Sequence, residues 1–251
     1  RMEVEQAKIG TAVPAVRDIS DLENRRIYQV IPFVNEEEEK ELFRPMPHGR
    51  TTRGGDAGVD RRSRSGGRAN GNTAQLAKAF MKGAQEAGHE VEFVSLNNVQ
   101  VNGCIGCNTC RYGKPCVQKD GFNSLVPKIL SADLIVFASP LYFWTISSKL
   151  KAFIERFYCI AQPDDNPPLG RYERYPVHDS ALLMTAADNF FWTFQQAASY
   201  YRFAVVDYIG FRDKGMLLAG GCGDTNGKPQ IEKTDALQRA YQFGKTIYEN
   251  E

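Results

Sequence analysis

The chain has 251 residues, 42% of them hydrophobic, and its 31 Lys and Arg nearly balance its 30 Asp and Glu, for a formal net charge of +1. This length and apolar content suit one large domain, or one domain with an extension. The balanced charge excludes any general preference for nucleic acid or membrane surfaces. We find no apolar run of membrane-spanning length and no signal-peptide segment, and therefore expect a cytoplasmic protein with reduced cysteines.

Residues 1–67 differ in composition from the rest. Ile27–Val34 is the only strand-like run there, and Pro32 within it predicts an edge strand or no strand. Residues 35–41 are a charge run, and residues 49–68 are almost all Arg, Gly, Ser, Thr and Asp. Such a segment buries too little apolar surface to offset its ordering entropy, and no aromatic residues interleave with its arginines to stack on bases. We expect an irregular N-terminal extension or linker over 1–67.

From residue 70 onward, predicted helices and strands alternate. Thr73–Gly88 has apolar residues at helical spacing, and Glu90–Leu96 alternates as a strand. The later predicted elements are a helix near Phe122–Ser131, a strand at Leu134–Ala138, a helix at Ser147–Ile160, a strand at Ser180–Ala186, a helix at Phe190–Ile209, a strand at Gly215–Gly220 and a helix at Thr234–Glu249. This order predicts an α/β fold with an open, mostly parallel, doubly wound sheet. The polar loop Gln162–Pro176 lies between the predicted helix at Ser147–Ile160 and the predicted strand at Ser180–Ala186. Its length predicts a lid or a partner contact.

The segment 103–120 carries the most specific motif of the chain. Four of the six cysteines fall within thirteen residues at the spacing C-x2-C-x2-C-x5-C: Cys104, Cys107, Cys110 and Cys116. Consecutive C-x2-C steps favour one iron–sulfur cluster held by four thiolates. Zinc usually takes two such pairs well apart in sequence, and disulfides are typical of small secreted domains. The cluster is favoured, while a metal-free reduced loop and a zinc site remain open alternatives.

Three loops qualify for the edge where doubly wound sheets bind ligands, outside the carboxyl ends of the strands. Asn70–Thr73 opens the first helix, where free amides and the helix dipole favour an anion, although capping by Asn72 or Thr73 explains the same residues. Ser139–Thr145 holds three consecutive aromatic residues, and Thr185–Phe191 holds two more. Aromatic side chains at this edge suit a flat conjugated ring, although core packing is their ordinary role. Together the loops predict a phosphorylated flat cofactor such as FMN.

Four stretches of the sequence resemble the NADPH-dependent FMN reductase family of flavodoxin-like proteins, and more narrowly its iron–sulfur flavoprotein branch. These stretches are RANGNTAQLAKAF, GCIGCNTCRYGKPC, ADLIVFASPLYFWTISSKLKAFIERF and DKGMLLAGGCG. The resemblance implies an FMN-binding domain over 68–251 with the cysteine loop 103–120 inserted in it. It further implies a flavodoxin-like five-stranded parallel sheet of order 2-1-3-4-5 in three layers, with FMN at the switch point, and a homodimer or homotetramer.

The resemblance also implies roles for individual residues. The FMN phosphate would be held by Arg68, Asn70, Asn72 and Thr73. The isoalloxazine ring and ribityl chain would be flanked by Pro140, Leu141, Tyr142, Phe143, Trp144, Ala187 and Asp188. A [4Fe–4S] cluster that exchanges electrons with FMN would be held by Cys104, Cys107, Cys110 and Cys116. No side chain is required as a catalytic acid or base. The remaining cysteines, Cys159 and Cys222, are predicted to be structural, and His48, His89 and His178 to be surface or packing residues.

The sequence departs from the family at the strand that should precede the phosphate loop. The residues before Ser65–Arg68 are RRSR rather than an apolar run. Either Ile27–Val34 supplies this central strand across an insertion, or another segment does, or residues 49–67 are not in the native reading frame.

The predicted function is that of an FMN-dependent oxidoreductase or electron-transfer flavoprotein. It would pass electrons between a reduced donor, NAD(P)H or ferredoxin, and a small-molecule acceptor, without a nucleic-acid or membrane partner. One alternative is an NAD(P)H-dependent FMN or quinone reductase whose cysteine loop holds no cluster. The other is a non-enzymatic binding protein with a zinc-stabilised loop.

Overall fold

A computed structural model describes residues 26–31, 71–112, 114–163, 173–176, 178–223 and 229–249. Two predicted site residues, Arg68 and Asn70, lie outside these ranges, as do residues 49–67. Within the described residues, no helix combines the length and apolar character needed to cross a membrane.

Five parallel strands form the main sheet. They are β1 (Arg26–Ile31), β2 (Glu90–Ser95), β3 (Leu134–Pro140), β4 (Asp179–Thr185) and β5 (Arg212–Ala219). The strand order in this sheet is β2-β1-β3-β4-β5, which is the predicted order 2-1-3-4-5. A separate two-stranded ribbon pairs Gln162–Pro163 with Glu173–Arg174 in antiparallel fashion, at the two ends of the predicted lid loop.

Helices follow the strands as expected for a doubly wound fold. They are α1 (Asn72–Glu86), α2 (Phe122–Ser131), α3 (Ser148–Glu155), α4 (Gln195–Tyr201) and α5 (Ala236–Lys245). Shorter helical turns cover Thr109–Tyr112, Arg156–Ile160 and Ile231–Lys233, and a π-helix covers Arg202–Ile209. The predicted start at Phe190 was wrong, because Phe190 and Thr193 form a turn through two hydrogen bonds of 3.0 Å, and the helix begins after it.

Strands β3 and β4 are buried on both faces of the sheet. Along β3, Ile135 and Phe137 contribute to one hydrophobic core, whereas Leu134 and Val136 contribute to the other. Successive side chains of a strand point to opposite faces, so a continuous apolar run is what a central strand requires. The two cores make the predicted three-layer, flavodoxin-like α/β architecture.

The central strand comes from the N-terminal segment. β1 pairs with β2 over residues 26–31 and with β3 over residues 27–30, so its backbone is hydrogen-bonded to a neighbouring strand on both sides. The structure therefore agrees with the first of the three alternatives, in which the run at Ile27–Val34 supplies the central strand across an insertion. The prediction of an edge strand or no strand was wrong because β1 ends at Ile31, one residue before Pro32. The predicted domain boundary at 67/68 was also wrong for residues 26–31, because these residues complete the sheet.

Candidate functional site

The amino end of α1 lies at the carboxyl edge of the sheet. Its cap is Gly71, without a side-chain hydrogen bond, so the predicted capping by Asn72 or Thr73 was wrong. The Asn72 amide instead joins two loops: its nitrogen donates to the carbonyl of Cys222, and its oxygen accepts from the backbone amides of Gln230 and Ile231, each at 3.0 Å. Both the nitrogen and the oxygen of the Asn72 side chain thus form hydrogen bonds within the protein.

The Thr73 side chain also forms a hydrogen bond within the protein. Its hydroxyl shares a 2.6 Å hydrogen bond with the hydroxyl of Thr185 at the end of β4, and both side chains are buried. The backbone amides of the first turn of α1 are still available to bind an anion, because the first N–H groups of a helix have no intrahelical partner. The structure brings Asn72 and Thr73 to the predicted edge, but it turns their side chains toward the protein.

The loop after β3 presents three aromatic side chains to solvent. Tyr142 and Thr145 exchange two backbone hydrogen bonds of 2.9 and 3.1 Å, which close a tight turn. Its two central residues, Phe143 and Trp144, have φ of 47° and 58°. A left-handed backbone is costly for an aromatic residue, and such strain concentrates at functional sites. Phe143 is 94% exposed at the tip of this turn.

A second aromatic loop lies beside the first. Phe190 and Trp192 stack with ring centroids 5.3 Å apart and planes 6° from parallel. The ring centroids of Trp192 and Trp144 are 6.1 Å apart. The two loops together expose six aromatic side chains, and clustered exposed apolar surface marks ligand or partner sites. The predicted ring-side loop Thr185–Phe191 included Phe190 and Phe191, but the predicted ring residues ended at Asp188 and Trp192 was missed. The signal that could have found it is the same as for the first loop: consecutive aromatic residues directly after a buried strand.

Pro140 and Leu141 connect β3 to the first aromatic turn, and the Leu141 amide donates to the carbonyl of Thr185 at 2.8 Å. Ala187 and Asp188 are exposed in the loop after β4. The structure therefore brings the predicted ring residues to one edge of the sheet, beside the amino end of α1.

The cysteine loop is tied at both ends. The Asn102 amide donates to Asp120 at 2.9 Å, and the Gln118 side chain donates to the Gly103 carbonyl at 2.8 Å. Gly103 also lies so close to α3 that a Cβ there would be 2.7 Å from the carboxylate of Glu155. Glycine at position 103 leaves room for the Glu155 carboxylate, which a Cβ there would displace.

One cavity of about 250 Å³ collects the cysteine side chains. The predicted ligands Cys104, Cys107, Cys110 and Cys116 line it together with a fifth thiol, Cys159. The prediction that Cys159 is merely structural missed this position, because only the packing of its helical turn against the loop brings it there. All six cysteines are free thiols.

The thiols line the cavity wall without forming a finished metal site. In the part of the chain that the structure describes, no three His, Cys, Asp or Glu side chains already stand at metal-binding spacing. The donor set itself fits a soft metal or an iron–sulfur cluster, since four thiols in one compact loop face a common space.

The thiols differ in acidity. Hydrogen bonds from Thr109 hold the pKa of Cys107 below its usual value. Burial, and then the neighbouring thiols, raise the pKa of Cys110. Burial raises the pKa of Cys159 to about 12, so this fifth thiol stays protonated at neutral pH. Since metals bind thiolates, Cys107 is the readier ligand and Cys159 the least ready.

Helix α3 connects the two regions. Ser147 caps its amino end beside the first aromatic turn, accepting from the Leu150 amide at 3.3 Å. At the other end, the carboxylate of Glu155 accepts from the Cys104 amide at 3.1 Å. A helix of eight residues is about 12 Å long. The aromatic edge and the cysteine cavity thus lie at opposite ends of one short, rigid element.

Part of the chain matches a known protein family. Residues 65–174 match the NADPH-dependent FMN reductase family. This match confirms the resemblance to the family, and the names of curated relatives support its iron–sulfur flavoprotein branch. The matched segment contains the cysteine loop and the first aromatic turn.

Curated relatives point to the same branch. The chain is 34% identical over 86 residues to an iron–sulfur flavoprotein of Archaeoglobus fulgidus, covering 34% of this chain and 39% of the relative. It is 37% identical over 89 residues to an iron–sulfur flavoprotein of Methanocaldococcus jannaschii, covering 36% of this chain and 46% of the relative. Each match thus spans less than half the length of the curated relative.

Solved structures share the whole fold. An NAD(P)H:quinone oxidoreductase from Methanothermobacter marburgensis superposes with a TM-score of 0.59 at 17% identity, covering 91% of this chain and 98% of that one. An azoreductase from Bacillus anthracis gives a TM-score of 0.55 at 14% identity, covering 88% of this chain and 99% of that one. At such identities the likeness shows the flavodoxin-like fold alone.

Proposed function

We propose that the chain is an FMN-dependent oxidoreductase that passes electrons between a reduced donor, NAD(P)H or ferredoxin, and a small acceptor, with a [4Fe–4S] cluster next to FMN. The observation that carries the proposal is the pairing of two exposed aromatic loops with the open amino end of α1 at one edge of the sheet. When bound, FMN would supply hydride and single-electron chemistry.

The phosphate would bind to the first-turn amides of α1. These amides and the helix dipole favour a dianion without any contribution from the engaged side chains of Asn72 and Thr73. Their role becomes indirect: they fix the amino end of α1 against β4 and the loop at Cys222. Arg68 and Asn70 are proposed as further phosphate ligands on the resemblance alone.

The aromatic loops would orient the ring and keep water from it. Tyr142, Phe143 and Trp144 come from one side and Trp192 from the other, and Trp144 and Trp192 already touch. A flat conjugated ring stacked on these side chains would cover apolar surface that is now open to solvent. Ala187 and Asp188 are proposed as neighbours of the same ring.

The cysteine loop would hold the cluster. Cys104, Cys107, Cys110 and Cys116 are the proposed ligands, and a bound cluster would add one-electron exchange beside FMN. Support comes from the cavity that these four thiols share and from the names of the relatives.

One observation favours a second candidate. Because no three potential ligands among the described residues stand at metal-binding spacing, an NAD(P)H-dependent FMN or quinone reductase without a cluster fits the same flavin edge. A zinc-stabilised binding protein would share the cysteine loop but not the flavin chemistry. A homodimer or homotetramer and a cytoplasmic location belong to the main proposal.

The test is an anaerobic FMN titration followed by reduction with NADH or NADPH, compared between wild type and two cysteine variants. Cys107→Ser removes a proposed cluster ligand, and Cys222→Ser removes a buried thiol outside the cysteine loop. We expect FMN binding in all three, with the iron-dependent absorbance lost only in Cys107→Ser. Wild-type protein that binds no FMN would overturn the proposal, and equal iron-dependent absorbance in all three would exclude the proposed ligand.

A further inference from the structure

The carboxyl end of α3 reaches both ends of the cysteine motif. Glu155 accepts from the amide of Cys104, the first cysteine, and the next residue, Arg156, donates from Nη2 to the sulfur of Cys116, the last cysteine, at 3.3 Å. Neither residue belongs to the motif itself. Two consecutive side chains thus fix the distance between the first and last proposed ligands.

Arg156 is as buried as a core residue and forms several hydrogen bonds. Its side chain is 1% exposed, and its guanidinium lies over the ring of Phe122 at 4.9 Å. Nη1 donates to the carboxylate of Asp120 at 2.6 Å and to the carbonyl of Asn102 at 3.2 Å, and Nη2 also reaches Asn123 at 3.4 Å. Fully buried arginine is rare unless it is paired.

The charge of Arg156 is matched by Asp120. Although burial opposes its ionisation, hydrogen bonds from the Asn102 amide and from Arg156 hold the pKa of Asp120 below its usual range. The pair is therefore neutral as a unit, and what Arg156 offers to Cys116 is a directed hydrogen bond rather than an uncompensated charge. Replacing buried ion pairs with apolar residues is often neutral or stabilising, so stability alone does not account for the pair.

We propose that Arg156 is a positioning residue of the cysteine site: it holds the sulfur of Cys116 toward the cavity and donates a hydrogen bond to it when that sulfur ligates metal. The part of this inference that concerns an iron–sulfur cluster rests on the proposed function. Hydrogen bonds to ligand sulfurs and neighbouring groups of this kind tune metal affinity and reduction potential. A donor to a ligand sulfur stabilises the more negative, reduced cluster and so raises its potential.

The test uses Arg156→Lys, which keeps the charge facing Asp120 but replaces the planar guanidinium with a single ammonium group. Lys119→Met is the matched control, because Lys119 is an exposed cation of the same loop. Two quantities are measured on each: Co²⁺ affinity of the reduced, metal-free chain from thiolate-to-cobalt absorbance, and the reduction potential after anaerobic reconstitution with iron and sulfide. Circular dichroism reports folding.

We expect Arg156→Lys to bind Co²⁺ about 10-fold more weakly, the lower end of effects of such supporting residues, and to shift the potential to a more negative value. Lys119→Met should match wild type in both. Equal Co²⁺ affinity and potential in wild type and Arg156→Lys would overturn the inference while leaving the proposed function intact. Wild type that takes up neither Co²⁺ nor iron would overturn the inference and the proposed cluster together, while FMN binding would test the flavin separately.

If Arg156→Lys fails to fold, the double variant Arg156→Met/Asp120→Asn serves in its place, because it leaves no lone buried charge. Methionine donates no hydrogen bond, so the same loss of Co²⁺ affinity and the same negative shift are expected. Wild-type values in a folded double variant would contradict the role of Arg156.

Discussion

Thr73 and Thr185 share a buried hydrogen bond of 2.6 Å that joins the first turn of α1 to the carboxyl end of β4. The relationship matters because these two elements flank the proposed phosphate and ring sites. Thr73, a residue predicted to hold the cofactor, is also part of the frame that joins these two elements.

Thr185→Val should lower the free energy of unfolding by about 1–2 kcal/mol, because it leaves the Thr73 hydroxyl buried without its partner. Urea unfolding measures the change. The double variant Thr73→Val/Thr185→Val should lose less than the sum of the two single variants, since replacing both partners by apolar groups of similar shape removes the unsatisfied hydroxyl. Strict additivity would show that the two hydroxyls do not interact.

Gly83→Ala should destabilise the protein although alanine is the better helix former. A Cβ at position 83 would lie 2.0 Å from the carbonyl oxygen of Tyr241, a backbone atom of α5. Separating α1 from α5 should cost about 1–3 kcal/mol, which outweighs the gain in helix propensity of about 1 kcal/mol. Thermal unfolding is the measurement, with the exposed Lys82→Ala in the same helix as control. An unchanged or higher melting temperature for Gly83→Ala would contradict the close packing of these helices.

His178 should make the protein less stable in mild acid. Its Nδ1 lies 2.6 Å from the Ala132 carbonyl, its Nε2 is buried without a partner among the described residues, and burial lowers its pKa. The unfolded chain therefore binds the proton more readily, so stability is retained above the unfolded pKa of about 6.5 and declines as the pH falls below it.

The measurement is urea unfolding at pH 7.5 and pH 5.5. One pH unit below the unfolded pKa, His178 contributes a loss of up to about 1.4 kcal/mol. His178→Gln should show a correspondingly smaller loss between the two pH values. Equal pH dependence in wild type and variant would show that another group is responsible.

Trp144→Ala should weaken FMN binding about tenfold, because the loss of one stacked aromatic side chain costs on the order of 1 kcal/mol or more. Quenching of flavin fluorescence on titration gives the dissociation constant. Phe203→Ala is the control, since Phe203 is 71% exposed in the π-helix and lies outside both aromatic loops. An equal effect of the two substitutions would argue against a ring site at Trp144.

The parts of the fold that local patterns determine were predictable. Leu134–Ala138 reads as a continuous apolar run, and β3 is buried on both faces, as such a run requires. The place of β1 could be predicted only as one of three alternatives, because Arg26–Ile31 is far in sequence from both of its neighbours. Pro32 also weakened the strand signal, although it lies just beyond the last paired residue.

In the candidate site, too, local patterns predicted some features and tertiary packing determined others. Cysteine spacing alone predicted that Cys104 and Cys116 share one loop. The involvement of Arg156 and Cys159 could not be read from spacing, because only tertiary packing brings their helical turn against the loop. Asn72 illustrates the opposite error: its local pattern predicted a helix cap, but its side-chain amide donates to a backbone carbonyl 150 residues away.

The most direct test of the central claim is the visible spectrum and the iron-to-FMN ratio of the chain purified without oxygen. The account predicts flavin bands on a broad iron–sulfur shoulder, with about four irons per FMN. Flavin bands without iron would contradict the cluster and leave a flavin or quinone reductase. A colourless protein that stays colourless after addition of FMN would contradict the account as a whole.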